Sequence, residues 1–292
     1  MILTLNSAVG DATLYLSVSP HAIDIALVTK RTAVFRCAQL VGIDLHQIGA
    51  IGDGVNDLPF LTIPGLGLIG APANAELRVR SELGRIPGAM LLNGPVTDGF
   101  LAFYEMCAER DLLLVISDRD GVLIDGGADS TDRFRLVVDR VMRGPGPALW
   151  ILTGSSAEQN LSLLDGVASS VDRVTVMAEN GSIVIDPLTR QTHLTLPHGL
   201  ESVLPILKGP FESEFRRLLA TTILPCYGLV PVEASSASMD DLSIPDKMTM
   251  ITIDLPRRFR DHASPVASDF RREVLRLAEC LGRAVGFNVE HI

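Results

Sequence analysis

Residues 112–116 form an unbroken apolar run, Leu-Leu-Leu-Val-Ile, which breaks after Ser117 at Asp118-Arg119-Asp120-Gly121. A continuous run of this length, closed by turn residues, predicts a strand buried on both faces. Such strands belong to parallel sheets with helices packed on either side. The carboxylates should therefore lie just past the strand's C-terminal end, the edge where open α/β sheets bind their ligands. A second segment has the same character: a short strand ending at Ile51 runs into Gly52-Asp53-Gly54-Val55-Asn56-Asp57. Carboxylates gathered at such an edge, with no thiolate or imidazole beside them, suit a hard cation such as Mg²⁺. The chemistry to expect there is metal-assisted phosphoryl transfer.

The rest of the chain alternates between strand and helix periods. Strands are expected at 12–18, 22–27, 63–72, 148–152 and 174–178. Helices are expected at about 31–40, from about Asn74, at 98–110 and at 132–142. Residues 182–185 should pair back on 174–178 across Glu179-Asn180-Gly181. This alternation predicts an α/β fold with a mainly parallel sheet covered on both faces. From about residue 190, Pro- and Ser-rich polar segments separate helices near 211–220 and 266–282 from a strand at 248–254. The strand-like Gly286–Glu290 lies close to the end. That region reads as a smaller α+β unit.

A net charge of −10, with no Lys/Arg stripe, argues against nucleic acid or an anionic membrane as the main partner. It leaves room for a small anion held by a metal and a lysine. Cys37, Cys107, Cys226 and Cys280 include no CxxC pair and read as buried free thiols of a reducing compartment. No apolar run approaches the roughly 18–20 residues needed to span a bilayer. The N-terminus lacks a basic leader and a clear cleavage site. A soluble, cytoplasmic protein is expected. The six histidines show no metal-ligand spacing, and Ser155-Ser156 lacks a nucleophile-elbow pattern.

Taken together, Asp118-Arg119-Asp120-Gly121-Val122-Leu123, Thr153-Gly154-Ser155, Lys30 and Gly52–Asp57 resemble the haloacid dehalogenase (HAD) superfamily of phosphohydrolases. The likeness is closer to its Cof-type branch, which carries a large α/β cap. Ile23-Asp24-Ile25, followed by Lys30 and a helix, resembles that branch's lysine motif. Gly70-Ala71, Asn74-Ala75, Asp98-Gly99-Phe100 and Ala178-Glu179-Asn180-Gly181 resemble further segments of it. The resemblance implies a Rossmann-like core at 21–189 and an α+β cap formed by 190–292 with 1–20. The motif order departs from the family's. There the aspartate and threonine motifs come first, then the cap, the lysine and the acidic loop; here the lysine and acidic loop lead. A circular permutation with its cut inside the cap restores the order, and exposed, neighbouring termini make such a cut tolerable. The alternatives are that the two halves belong to different sites, or that they complement each other between the chains of a swapped homodimer.

The resemblance also implies roles. Asp118 would be the nucleophile and a metal ligand. Asp120 would be the general acid/base and would ligate the metal through its carbonyl. Asp53 would bind the metal by its side chain, and Asp57 would bind it through water or orient Lys30. Thr153 and Gly154 would hold phosphate oxygens, and Lys30 would pair with the phosphate and the nucleophile, with Arg31 as a possible substitute. Asn180 fits two readings equally, support of the site or a plain Asn-Gly turn. The implied activity is that of a Mg²⁺-dependent phosphoric monoester hydrolase acting on a small phosphorylated metabolite, a sugar or polyol phosphate. Its selectivity would lie in the cap. A sugar phosphomutase and a non-catalytic phosphometabolite sensor or scaffold are the alternatives.

Overall fold

The computed structural model describes residues 9, 11–19, 21–125, 130–164, 173–186, 188–232, 238, 240–261 and 263–292. Of the stretch 1–20, residues 1–8, 10 and 20 thus lie outside the described residues. In chain order the strands are β1 (Thr13–Val18), β2 (Ala22–Ala26), β3 (Ile48–Ile51), β4 (Leu68–Ala71), β5 (Met90–Leu91), β6 (Leu114–Ser117) and β7 (Ala148–Leu152). They continue with β8 (Val174–Ala178), β9 (Ile183–Ile185), β10 (Thr192–Leu194), β11 (Pro231–Val232), β12 (Leu242–Ser243), β13 (Met250–Asp254) and β14 (Asn288–His291). The chain divides into two compact units, Thr29–Thr195 and Met1–Val28 with Leu196–Ile292. Ladder pairing accounts for the boundaries: β2 pairs with β1 and β13, while β10 pairs with β9.

The unit Thr29–Thr195 is built on an eight-stranded sheet in the order β10-β9-β8-β7-β6-β3-β4-β5. Neighbours from β8 through to β5 are parallel, and β9 and β10 add antiparallel strands at one edge. The chain runs outward from β3 through β4 to β5, crosses back to β6 on the other side of β3, and runs outward again through β7 and β8. The strand order therefore reverses between β3 and β6. Connections leaving those two strands go to opposite faces, which opens a crevice at their carboxyl ends.

Both faces of this sheet are covered, as the apolar runs require. Leu114 and Ile116 pack with Ala33, Val34, Phe60 and Leu83, from helices Lys30–Val41, Leu58–Leu61 and Leu77–Leu83. Val115 turns the other way, toward Phe100, Phe103 and Phe134 of helices Val96–Glu109 and Ser130–Arg143. The helix expected from Asn74 begins at Leu77, because the side chains of Asn74 and Glu76 bond to loop backbone instead.

The other unit holds a six-stranded mixed sheet, ordered β11-β12-β13-β2-β1-β14. Leu14, Leu16, Ile23, Ile25, Ile251 and Ile253 form its core with Phe270, Val274 and Ala278 of the long helix Pro265–Val285. The helix expected at 211–220 is part of a longer helical run over 204–227, with π-turns at Leu207–Phe211 and Leu219–Ile223. Pro210 lies in the first of these. It has no N–H to donate and its ring crowds the preceding turn, which widens the helix there. All four cysteines are free, but only Cys37 and Cys107 are buried; Cys226 and Cys280 are exposed. Among the described residues no helix is long and apolar enough to cross a membrane.

Gly181, at φ +93°, shows how tightly helix Lys30–Val41 lies on the turn after β8: a Cβ there would stand 2.3 Å from that of Ala33. Gly42, at φ +73°, ends the same helix with open space around it. Gly181→Ala should therefore cost overpacking as well as left-handed strain, about 2–4 kcal/mol, against about 1 kcal/mol of strain alone for Gly42→Ala. Denaturant unfolding of both variants checks this ranking; equal losses would contradict the packing.

Candidate functional site

The site is assembled from loops that leave adjacent parallel strands. Ile51, the last residue of β3, is in register with Ser117, the last of β6, and Asp118 N–H donates to the Ile51 carbonyl at 3.0 Å. On the other side of β6, β7 ends at Leu152, and Thr153 N–H donates to the Met177 carbonyl at 3.0 Å. The loops beginning at Gly52, Asp118 and Thr153 thus issue from the carboxyl ends of β3, β6 and β7, beside the point where the strand order reverses.

Lys30 arrives from a helix start. Thr29 is the N-cap: its Oγ1 accepts from Thr32 N–H and its own N–H donates to Thr32 Oγ1, both at 3.1 Å. This reciprocal cap sets Lys30 at the first helical position. Its side chain is buried, with Nζ 2.6 Å from Asp57 Oδ1 and 2.9 Å from Asp118 Oδ1. The other oxygen of Asp57 accepts from the N–H groups of Asp53 and Gly54, each at 3.0 Å. Asp57 therefore both orients Lys30 and shapes the loop that presents Asp53.

Carboxylate oxygens of Asp53, Asp57 and Asp118 lie within 4.8 Å of one another. Burial first, then Asp118 and Asp57, against the opposing pull of Lys30, raise the Asp53 carboxyl to about 8. Asp118 is likewise raised, by burial first and then by Asp57, with Lys30 opposing. Burial pulls the Lys30 ammonium down, but Asp118 and Asp57 outweigh it and hold lysine above its usual range. One ammonium does not neutralise this group of carboxylates. Oxygen-only donors with surplus negative charge fit a hard cation, so the triad could hold a metal ion. Gly121, at φ +76°, lets the turn after Asp118 close on the same group: a Cβ there would fall 2.0 Å from Asp53 Oδ2.

Asp120 lies outside this triad. Its side chain is 56 % exposed and meets Arg119, whose Nη2 and Nε donate to both carboxylate oxygens at 2.8–3.2 Å. Thr153 is buried, and its Oγ1 accepts from Ser155 N–H at 3.1 Å. Asn180 N–H donates to the Thr153 carbonyl at 2.9 Å, and its Oδ1 is 3.4 Å from where a Cβ on Gly154 would stand. Asn180 is also left-handed, at φ +58°. It is at once a turn residue and a support of the Thr153 loop. Arg31 is engaged with the Pro59 carbonyl and the Phe35 ring, so it does not duplicate Lys30.

Three residues without a role in the sequence reading complete the surroundings. Arg119 joins the loops after β6 and β7. Glu76 accepts from Val55 N–H at 3.1 Å and donates its own N–H to the Asp53 carbonyl at 2.9 Å. Asn74 donates to the Gly121 carbonyl and accepts from Val96 N–H, both at 2.7 Å. Their sequence signals are slight: Asn74 and Glu76 follow the carboxyl end of β4, next to β3, and Asn74-Ala75 is among the segments of the resemblance. Comparison with protein-family models, with curated proteins and with solved structures finds no match to this chain.

The raised Asp53 carboxyl has a definite sign in stability. Unfolded, the group titrates near 4; folded and metal-free it holds its proton to about 8. Its stabilising contribution is thus full below about pH 4 and is lost as pH rises toward 8. A divalent cation binds the ionised form and opposes that loss. Saturating Mg²⁺ should raise the melting temperature by a few degrees at pH 8 and by less at pH 5. Asp53→Asn should flatten both dependences; thermal melts with and without EDTA are the measurement.

Proposed function

We propose that the protein is a Mg²⁺-dependent phosphomonoesterase of the HAD type, acting on a small phosphorylated metabolite through an aspartyl-phosphate on Asp118. The observation that carries this reading is the placement of Asp118 at the sheet's switch point, 2.9 Å from the Lys30 ammonium and grouped with Asp53 and Asp57. An isolated carboxylate after a strand is an ordinary turn residue. One that shares a buried lysine with a second carboxylate, beside a threonine loop on the next strand, suits attack on phosphorus.

In this mechanism an Asp118 Oδ attacks phosphorus in line with the ester oxygen. The new O–P bond forms as the ester P–O bond breaks, and the leaving alkoxide takes a proton from Asp120. Water, deprotonated by Asp120, then attacks the same phosphorus, releasing inorganic phosphate and restoring the Asp118 carboxylate. Lys30 keeps its charge throughout and offsets the repulsion between carboxylate and phosphate. Thr153 Oγ1 and the N–H groups of its loop offer donors to the non-reacting oxygens. Mg²⁺, held by Asp118 and Asp53 with Asp57 and the Asp120 carbonyl in support, would supply the remaining positive charge to the phosphate. Asp120 must leave Arg119 to take part. That pairing is the one observation favouring a second reading, a phosphometabolite binder without turnover.

A circular permutation of the family's motif order accompanies this proposal. It is supported by a unit that draws on both ends of the chain, with β1 and β14 paired in parallel. A sugar or polyol phosphate is the substrate class that the capped branch implies.

Phosphate release from a panel of sugar and polyol phosphates tests the proposal. Release by the wild type should require Mg²⁺, stop with EDTA, and fall by roughly a thousandfold or more in Asp118→Asn. Ligand binding without release from any member would favour the binder.

A further inference from the structure

Arg119 occupies an unusual place, between the two carboxylates of its own turn. Its backbone N–H donates to Asp118 Oδ1 at 2.8 Å, while its side chain faces Asp120. The guanidinium has further partners on the next loop: Nη2 donates to Ser155 Oγ at 2.6 Å and Nη1 to Asn160 Oδ1 at 2.9 Å. These two anchors are firm. Asn160 is buried and held by its own bond to the Ser156 carbonyl at 2.8 Å, and Ser155 N–H is tied to Thr153 Oγ1. The Arg119 side chain is 11 % exposed against 56 % for Asp120. The cation is therefore fixed to the protein, and its carboxylate partner is the part that faces water.

We propose that Arg119 is a positioning residue that holds Asp120 away from the reacting atoms until a phosphate group takes the guanidinium from it. The proposal rests on the phosphatase reading of the site and adds to it a coupling between phosphate arrival and release of the acid/base carboxylate. Three physical points carry it. The Asp120 carboxylate is half-exposed, so water can take over its hydrogen bonds as it leaves the guanidinium. A guanidinium fork matches phosphate oxygens in the same bidentate fashion as a carboxylate, and phosphate brings more charge. The anchors at Ser155 and Asn160 keep the fork beside the Thr153 loop while its partner is exchanged. One guanidinium cannot serve Asp120 and phosphate fully at once, so binding of one weakens the hold on the other. A clamp that merely joined the loops after β6 and β7 would need Ser155 and Asn160 but not Asp120.

The test is calorimetric titration of inorganic phosphate into the full chain with Mg²⁺ at fixed pH. Wild type, Asp120→Asn, Arg119→Leu and the double variant form a cycle, with Arg119→Lys as the conservative change. Arg119→Leu should weaken phosphate by roughly tenfold, the size of one charge-assisted hydrogen bond. Asp120→Asn should tighten it by roughly tenfold, and that gain should vanish when Arg119 is Leu. Arg119→Lys, which keeps the charge without the fork, should fall between. If Arg119→Leu does not fold, the cycle run with Arg119→Lys must show the Asp120→Asn gain reduced. Equal tightening in both backgrounds would mean simple repulsion by Asp120 and would overturn the proposal, as would no tightening at all. Phosphate release by the wild type separates the two levels. Release without coupling sinks the latch alone, whereas absence of both release and phosphate binding sinks the phosphatase reading with it.

Discussion

The Lys30 ammonium, held between Asp57 and Asp118, is the interaction on which the rest of the site depends. Carboxylates brought into a buried position repel one another and lose hydration; without a cation among them the loops after β3 and β6 could not close together. Removing one partner of such a group leaves uncompensated buried charge, so Lys30 and Asp57 are both needed to hold this arrangement. Lys30 reaches this place because Thr29 caps its helix and because helix Lys30–Val41 packs against the sheet through Ala33, Val34 and Cys37.

That requirement carries into the backbone. Asp57 spends one oxygen on Lys30 and the other on the N–H groups of Asp53 and Gly54, so the charge cluster and the loop geometry are a single arrangement. Asn74 and Glu76 brace the same loop and its neighbour, at the cost of the first turn of the helix expected there. Even so, burial first, and then Asp118 and Asp57, hold the Asp53 carboxyl well above its ordinary value. A site organised around one fixed ammonium and carboxylates of surplus negative charge could hold a metal ion.

Much of this was legible in the chain because the signals are local. Asp53, Asp57, Asp118 and Thr153 each follow an apolar run, and in a parallel sheet all such positions fall at one edge. The helix start at Lys30 was legible from the pattern around it, while its role came only from the resemblance of that segment to a known motif. Asp120 shows the limit. The resemblance implies an acid/base role for it beside Asp118, yet its side chain lies outside the triad, half-exposed and paired with Arg119. The partners that fix Arg119, Ser155 and Asn160, lie 36 and 41 residues away, beyond any local pattern. The exposed Cys226 and Cys280 make the same point, since residue type alone does not assign a side chain to a face.

The class of fold, the strand ends that run into acidic or threonine loops, and the helix start at Lys30 are written in local stretches of the chain. Each follows from hydrophobic period, turn chemistry or capping within a few neighbouring residues. That β6 lies between β3 and β7, that Lys30 meets both Asp57 and Asp118, and that Arg119 takes Asp120 emerge only once the chain has folded. Those outcomes depend on which strands become neighbours and on how helices pack over them, and contacts between distant parts of a chain are settled by packing and charge balance rather than by local pattern.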